Sequence, residues 1–145
     1  MARLDGLFLR VAVLYVLAGM GLGIFMAMSQ DHSMMPAHAH INLVGWVSMA
    51  LYALVYRTWP EAAEGAAAWT HFWLANIGTL TLVIGVSGIM AGYPDSFEGV
   101  AAVGSILTLL SMLLFAVIVF RRVPALQSGA RRRKLPDARS LGAAG

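Results

Sequence analysis

Residues 7–28 read LFLRVAVLYVLAGMGLGIFMAM, an apolar stretch interrupted by one charged residue, Arg10. An α-helix needs about 20 predominantly apolar residues to cross the hydrocarbon core of a bilayer. The stretch therefore predicts a membrane-spanning helix, and because no Ala-x-Ala site follows it, we expect an anchor and not a cleaved signal peptide. Within it, Gly19 and Gly23 form a Gly-x-x-x-Gly pair of the kind that lets a second helix approach closely.

Three further apolar stretches lie at about residues 38–56, 70–91 and 97–120. The composition agrees with a lipid-embedded chain, since 59% of the 145 residues are apolar and only 12% are charged, against roughly 25% charged residues in soluble domains. The sequence thus predicts an all-α, polytopic membrane protein in which residues 1–122 form a domain of four transmembrane helices.

The positions of the basic residues predict the orientation of these helices. Arg3 and Arg10 lie near the N-terminus, Arg57 follows the second stretch, and the remaining seven of the ten Lys and Arg residues lie after residue 120. Because Lys and Arg are retained on the cytoplasmic side, we expect both termini to be cytoplasmic in the cell (inner) membrane. The first and third connections between the stretches contain no Lys or Arg, and we expect these two loops outside or in the periplasm. Residues 123–145 are predicted to form a basic, disordered cytoplasmic tail, which suits anionic lipid and not nucleic acid.

Potential metal ligands are concentrated in residues 26–40, MAMSQDHSMMPAHAH, which contain three of the four histidines. Imidazole and thioether groups suit haem iron or copper, especially the cuprous ion. The chain has no cysteine, which excludes disulfides, thiolate metal sites and covalent haem attachment through Cys-x-x-Cys-His. The sequence predicts a metal or cofactor site at the outer mouth of the bundle, with these candidate metal ligands: His32, Met34, Met35, His38 and His40.

His38 and His40 are two residues apart, so on a helix they project about 200° from one another. We therefore expect them on opposite faces, where one metal ion cannot easily be held by both. The face of His38 continues through Asn42, Gly45 and Trp46, which are further candidate cofactor-binding residues, and Gly45 is expected to leave room for a flat ligand. The face of His40 continues through three apolar residues, Leu43, Val44 and Val47.

Residues 36–60, PAHAHINLVGWVSMALYALVYRTWP, resemble the helix of haem-copper oxidase catalytic subunits that carries two histidines one residue apart. That family includes cytochrome c oxidase subunit I, the cbb3-type oxidases and nitric oxide reductase. Its first histidine binds the high-spin haem and its second the low-spin haem, from opposite faces of the helix. The resemblance implies that His38 matches the first of these histidines and His40 the second.

From the resemblance and the residues together, we expect a protein that binds haem b through His38 and His40 or one of them. It would act in respiratory electron transfer or as an oxidase-like accessory, as a homo-oligomer or within a larger respiratory complex in the lipid bilayer. Four spans and four histidines are too few for a self-sufficient oxidase. Two alternatives stay open, a copper-handling or oxidase-assembly protein and a purely structural membrane subunit. His71 is expected at the inner end of the third span, in a cap or interface role.

Overall fold

The structure of the chain is a computed structural model that describes residues 3–124, and every described element is helical. Within these residues, four helices are long and apolar enough to cross a membrane. This confirms the prediction of an all-α chain with four helices that could span a membrane. The helices are α1 (Leu4–Ser29), α2 (Met35–Thr58), α3 (Ala66–Met90) and α4 (Pro94–Arg122), and a 3-10 turn, Pro60–Ala63, joins α2 to α3.

The helices begin three or four residues before the predicted spans, and each ends within two residues of the predicted end. The prediction counted only the apolar residues that cross the hydrocarbon, whereas α2, α3 and α4 begin three, four and three residues earlier. Pro36 and Pro94 lie in the first turns of α2 and α4, where proline is tolerated because the backbone N–H there has no acceptor within the helix. The predicted tail, residues 123–145, lies outside the described residues apart from Val123 and Pro124.

The two ends of the bundle differ in chemistry. At the basic end, the first turn of α1 and the last turns of α4 lie beside the connection from α2 to α3. This end carries five arginines: Arg3, Arg10, Arg57, Arg121 and Arg122. At the histidine end, the loop between α1 and α2 carries His32, and the first turns of α2 carry His38 and His40.

Glycines bring α3 and α4 into backbone contact along much of their length. A Cβ atom added at Gly85 would collide with the backbone of Ala101 in α4, and one at Gly104 would collide with the backbone of Leu82 in α3. Such close packing stabilises helix pairs in a bilayer, where lipid tails are as apolar as the side chains and the hydrophobic effect does not drive association. The α3–α4 pair is therefore a tight antiparallel hairpin.

His71 lies in an aromatic core at the basic end, built from α1, α2, α3 and α4. The imidazole is fully buried, it stacks on Phe115 with ring centroids 5.1 Å apart, and its Nδ1 atom is hydrogen-bonded to the Tyr56 hydroxyl at 2.8 Å. Phe8 and Tyr52 pack around the same ring. The prediction of a cap or interface role for His71 is therefore wrong, because three other helices surround the side chain. Its position at the end opposite to His40 is confirmed.

We expect Tyr56→Phe to lower the free energy of unfolding by about 1–3 kcal/mol, because Nδ1 of the buried His71 would lose its hydrogen-bond partner. Tyr52→Phe is the matched control, since within the described residues the Tyr52 hydroxyl has one hydrogen-bond partner, the Met112 sulfur at 3.9 Å, and a thioether is a weak acceptor. Denaturant unfolding in detergent measures both changes. Equal losses for the two variants would contradict the assigned role of the Tyr56 hydroxyl.

Candidate functional site

The loop at the histidine end, residues 30–34, is held by local hydrogen bonds. The Asp31 carboxylate accepts a hydrogen bond from the Ser33 N–H at 2.9 Å, and this backbone bond, with a further one from the Ser33 side chain, lowers the pKa of Asp31. The N–H of Met35 donates to the His32 carbonyl at 3.0 Å. The imidazole of His32 is exposed, as is about half of the Met35 side chain, while Met34 is partly buried.

The second span contains a π-helix. Ile41–Ser48 is π-helical, between the α-helical segments Met35–His40 and Met49–Thr58. The Ser48 hydroxyl donates to the carbonyl of Leu43, five residues earlier, at 2.9 Å. π-Helical segments are rare in proteins, and those that occur frequently lie at functional sites. The sequence predicted an ordinary helix here, and nothing in its residue pattern indicated the π-helix, which begins directly after His40.

His38 faces α1, and its ring lies between Gly23 of α1 and the Asn42 side chain. A Cβ atom at Gly23 would lie 3.0 Å from Cε1 of the imidazole. The Asn42 amide nitrogen donates to the His38 carbonyl at 2.9 Å and lies 3.3 Å from Nε2 of the ring. Because that amide nitrogen is a donor, Nε2 is the acceptor and the ring proton is assigned to Nδ1. Nδ1 is buried and has no hydrogen-bond partner in the described part of the chain.

The other predicted residues of the His38 face also pack on α1 or on the core. The Asn42 side chain lies against Gly19, and the Tyr15 ring fills the space beside Gly45, 2.6 Å from where a Cβ atom would be. The prediction that Gly45 leaves room for a flat ligand is therefore wrong. Trp46 is partly buried against the core. The predicted close approach at Gly19 and Gly23 is confirmed, since each glycine accommodates a polar side chain of α2.

His40 lies on the opposite, outward face of α2. Its Nδ1 atom is 2.8 Å from the Pro36 carbonyl oxygen. Because a carbonyl only accepts hydrogen bonds, Nδ1 carries the proton, and the Nε2 lone pair has no hydrogen-bond partner among residues 3–124. Further along this face, Leu43 and Val47 are 62% and 41% exposed. The prediction that His38 and His40 face apart is confirmed, and it holds because both precede the π-helix.

The three histidines of this end do not form one enclosed site. Among residues 3–124, no three His, Asp or Glu side chains are grouped closely enough to hold a metal ion together. His71, the fourth histidine, is buried at the basic end. The arrangement at the histidine end can therefore supply one open imidazole nitrogen from the half-buried His40, and a second ligand from the exposed loop.

Comparison of the chain with models of known protein families, with curated proteins and with solved structures gave no match. Function is therefore inferred from the chemistry of the histidine end and from the resemblance carried by residues 36–60.

We expect Gly19→Ala to lower the free energy of unfolding by about 1–3 kcal/mol, because the new methyl group would overlap the Asn42 amide, 2.6 Å away. Gly21→Ala is the matched control in the same helix, since a Cβ atom there meets nothing within 4 Å. It should be neutral or slightly stabilising, because alanine favours a helix over glycine. Thermal and denaturant unfolding in one detergent compare the two variants, and equal effects would contradict the α1–α2 packing.

Proposed function

We propose that this chain is a membrane protein that binds haem b at its histidine end, with His40 as an axial ligand of the iron. It would serve respiratory electron transfer or act as an oxidase-like accessory. The observation that carries the proposal is the hydrogen bond between Nδ1 of His40 and the Pro36 carbonyl. Histidines that bind metals commonly donate their other ring N–H to a carbonyl, which fixes the tautomer and the orientation of the ring.

The surroundings of His40 also support haem binding. Its ring stands on a face of α2 that is otherwise apolar and exposed, continuing through Leu43, Val47, Leu51 and Leu54. An ionisable side chain within a membrane span is costly and by default indicates a functional site. Ligation would satisfy the free Nε2 atom, and the exposed leucine and valine side chains offer apolar surface to a porphyrin. When bound, haem would supply one-electron redox chemistry, and the protein would supply the ligand and a medium of low polarity.

The resemblance implies haem ligation by both His38 and His40, and the packing favours His40. Nε2 of His38 faces the Asn42 amide, and its ring lies against Gly23. A second axial ligand would have to come from the loop residues His32, Met34 or Met35, from a second copy of the chain, or from another subunit. Assembly as a homo-oligomer or within a respiratory complex is therefore part of the proposal.

The orientation belongs to the proposal as well. The basic end would face the cytoplasm, and the histidine end would face the outside or the periplasm, in the cell (inner) membrane. The loop that carries His32, residues 30–34, contains no Lys or Arg. The lack of basic residues there agrees with a loop on the outer side.

A copper-handling role is the second candidate, and the loop geometry favours it. The hydrogen bond from the Met35 N–H to the His32 carbonyl closes one turn of the backbone, and the side chains of both residues are exposed. These are ligands suited to the cuprous ion. Met34 and His40 could complete such a site, which would bind copper without haem.

Titration of the detergent-solubilised chain with haem tests the proposal. We expect a shifted Soret band in the wild type that is lost in His40→Ala, because the iron would lose its axial nitrogen. His38→Ala should retain the band. His32→Ala, with the same substitution in the exposed loop, is the matched control, and circular dichroism checks that every variant keeps its helix content.

Three results would contradict the haem proposal: no Soret shift in the wild type, an unchanged shift in His40→Ala, or loss of the shift only in His38→Ala. Bound copper without haem, lost in His32→Ala and in Met35→Leu, would support the copper-handling candidate. A chain that binds neither group would favour the remaining alternative, a purely structural membrane subunit, for which replacement of His32, His38 and His40 by Ala should leave partner assembly unchanged.

A further inference from the structure

Three arginines line one groove at the basic end. Arg3, Arg10 and Arg57 surround it, together with Asp5 and Gly6, and its volume is about 310 Å³. Arg57 comes from the last turns of α2, and the other residues come from the start of α1. The groove therefore lies between two helices, at the depth where charged side chains end the apolar spans.

The charge of this groove is positive. Asp5 accepts from Nε of Arg3 at 3.3 Å and lies 3.6 Å from a terminal nitrogen of Arg57. Arg10 forms no ion pair with any residue from 3 to 124. Three guanidinium groups against one carboxylate leave an excess of two positive charges. The side chains of Arg3 and Arg57 are 60% and 65% exposed, so donors remain free for an anion, and guanidinium groups match the geometry of phosphate oxygens.

An apolar furrow continues from the same groove. Asp5, Gly6 and Arg57 also line a second cavity of about 500 Å³, which extends between α1 and α2 along four apolar side chains: Leu9, Ala50, Ala53 and Leu54. The less exposed apolar residues of its lining, Ala50 and Ala53, are small, whereas Leu9 and Leu54 are exposed. A Cβ atom at Gly6 would meet nothing within 4 Å, so the furrow is open there. Its volume and its apolar lining suit an alkyl chain.

We propose that this part of α1 and α2 binds one anionic phospholipid, with the phosphate between Arg3, Arg10 and Arg57 and an acyl chain in the furrow beside Gly6. The positive groove and the apolar furrow share residues, so a ligand that fills both must be anionic at one end and apolar along its length. Free phosphate would leave the furrow uncovered. Basic pockets between transmembrane helices are a general means of binding acidic lipid head groups. The site is distant from His40 and does not depend on haem.

Lipid binding to the full chain in detergent, measured by native mass spectrometry, tests this proposal with phosphatidylglycerol and phosphatidylcholine as probes. We expect phosphatidylglycerol to bind at least tenfold more tightly. Arg10→Gln should weaken it about five- to tenfold, because one arginine near an anionic lipid contributes about that factor. The matched charge control is Arg121→Gln, which removes a cation from the same end of the bundle but outside the groove, and it should change binding less than twofold.

A second pair of variants tests the furrow. Gly6→Leu should fill it and weaken phosphatidylglycerol binding at least fivefold without loss of stability, because the position has room and leucine favours a helix. Gly21→Leu, at an equally open position of α1, should leave lipid binding unchanged. Three results would overturn the proposal: equal binding of the two lipids, equal losses in Arg10→Gln and Arg121→Gln, or displacement by inorganic phosphate at millimolar concentration with no effect of Gly6→Leu.

Discussion

The packing of two polar side chains of α2 on two glycines of α1 determines the geometry of the histidine end. Asn42 lies on Gly19 and His38 lies on Gly23, and any larger side chain at these two positions would push the polar groups away. This contact fixes the rotation of α2 about its axis, because His38 and Asn42 must face α1. His40, two residues from His38, is then turned to the opposite face, where its Nε2 atom is free.

The same helix pair has a different role at the basic end. Near their basic ends, α1 and α2 enclose a groove that is rich in arginine and opens into an apolar furrow. On the other side of α2, Tyr56 is hydrogen-bonded to the buried His71 of α3, which joins the α1–α2 pair to the α3–α4 hairpin through the aromatic core. The chain thus has a buried, structural histidine, His71, at one end, and the more accessible His32 and His40 at the other.

Most of the features that the sequence predicted depend on neighbouring residues within one helix, and the close approach at Gly19 and Gly23 is an exception. Span lengths follow from apolar composition, and the opposite faces of His38 and His40 follow from the rotation per residue. The errors concern contacts between helices. The space beside Gly45 is filled by the Tyr15 ring of α1, and His71 is surrounded by aromatic rings of three other helices. Neither arrangement can be derived from the spacing of residues along one helix. The π-helix at Ile41–Ser48 had no sequence signal, and haem ligation remains a prediction.

The most direct test of the account is the rate at which each histidine ring reacts with diethyl pyrocarbonate. The rates are measured for each histidine separately by mass spectrometry, on the chain in lipid nanodiscs, first without haem and then with haem added. The reagent attacks an accessible imidazole lone pair. The account predicts that His40 reacts well before His38, whose ring is packed between Asn42 and Gly23, and before the buried His71. It also predicts that added haem slows the reaction of His40. A His38 ring that reacts as fast as His40, or a His40 ring that haem does not protect, would contradict it.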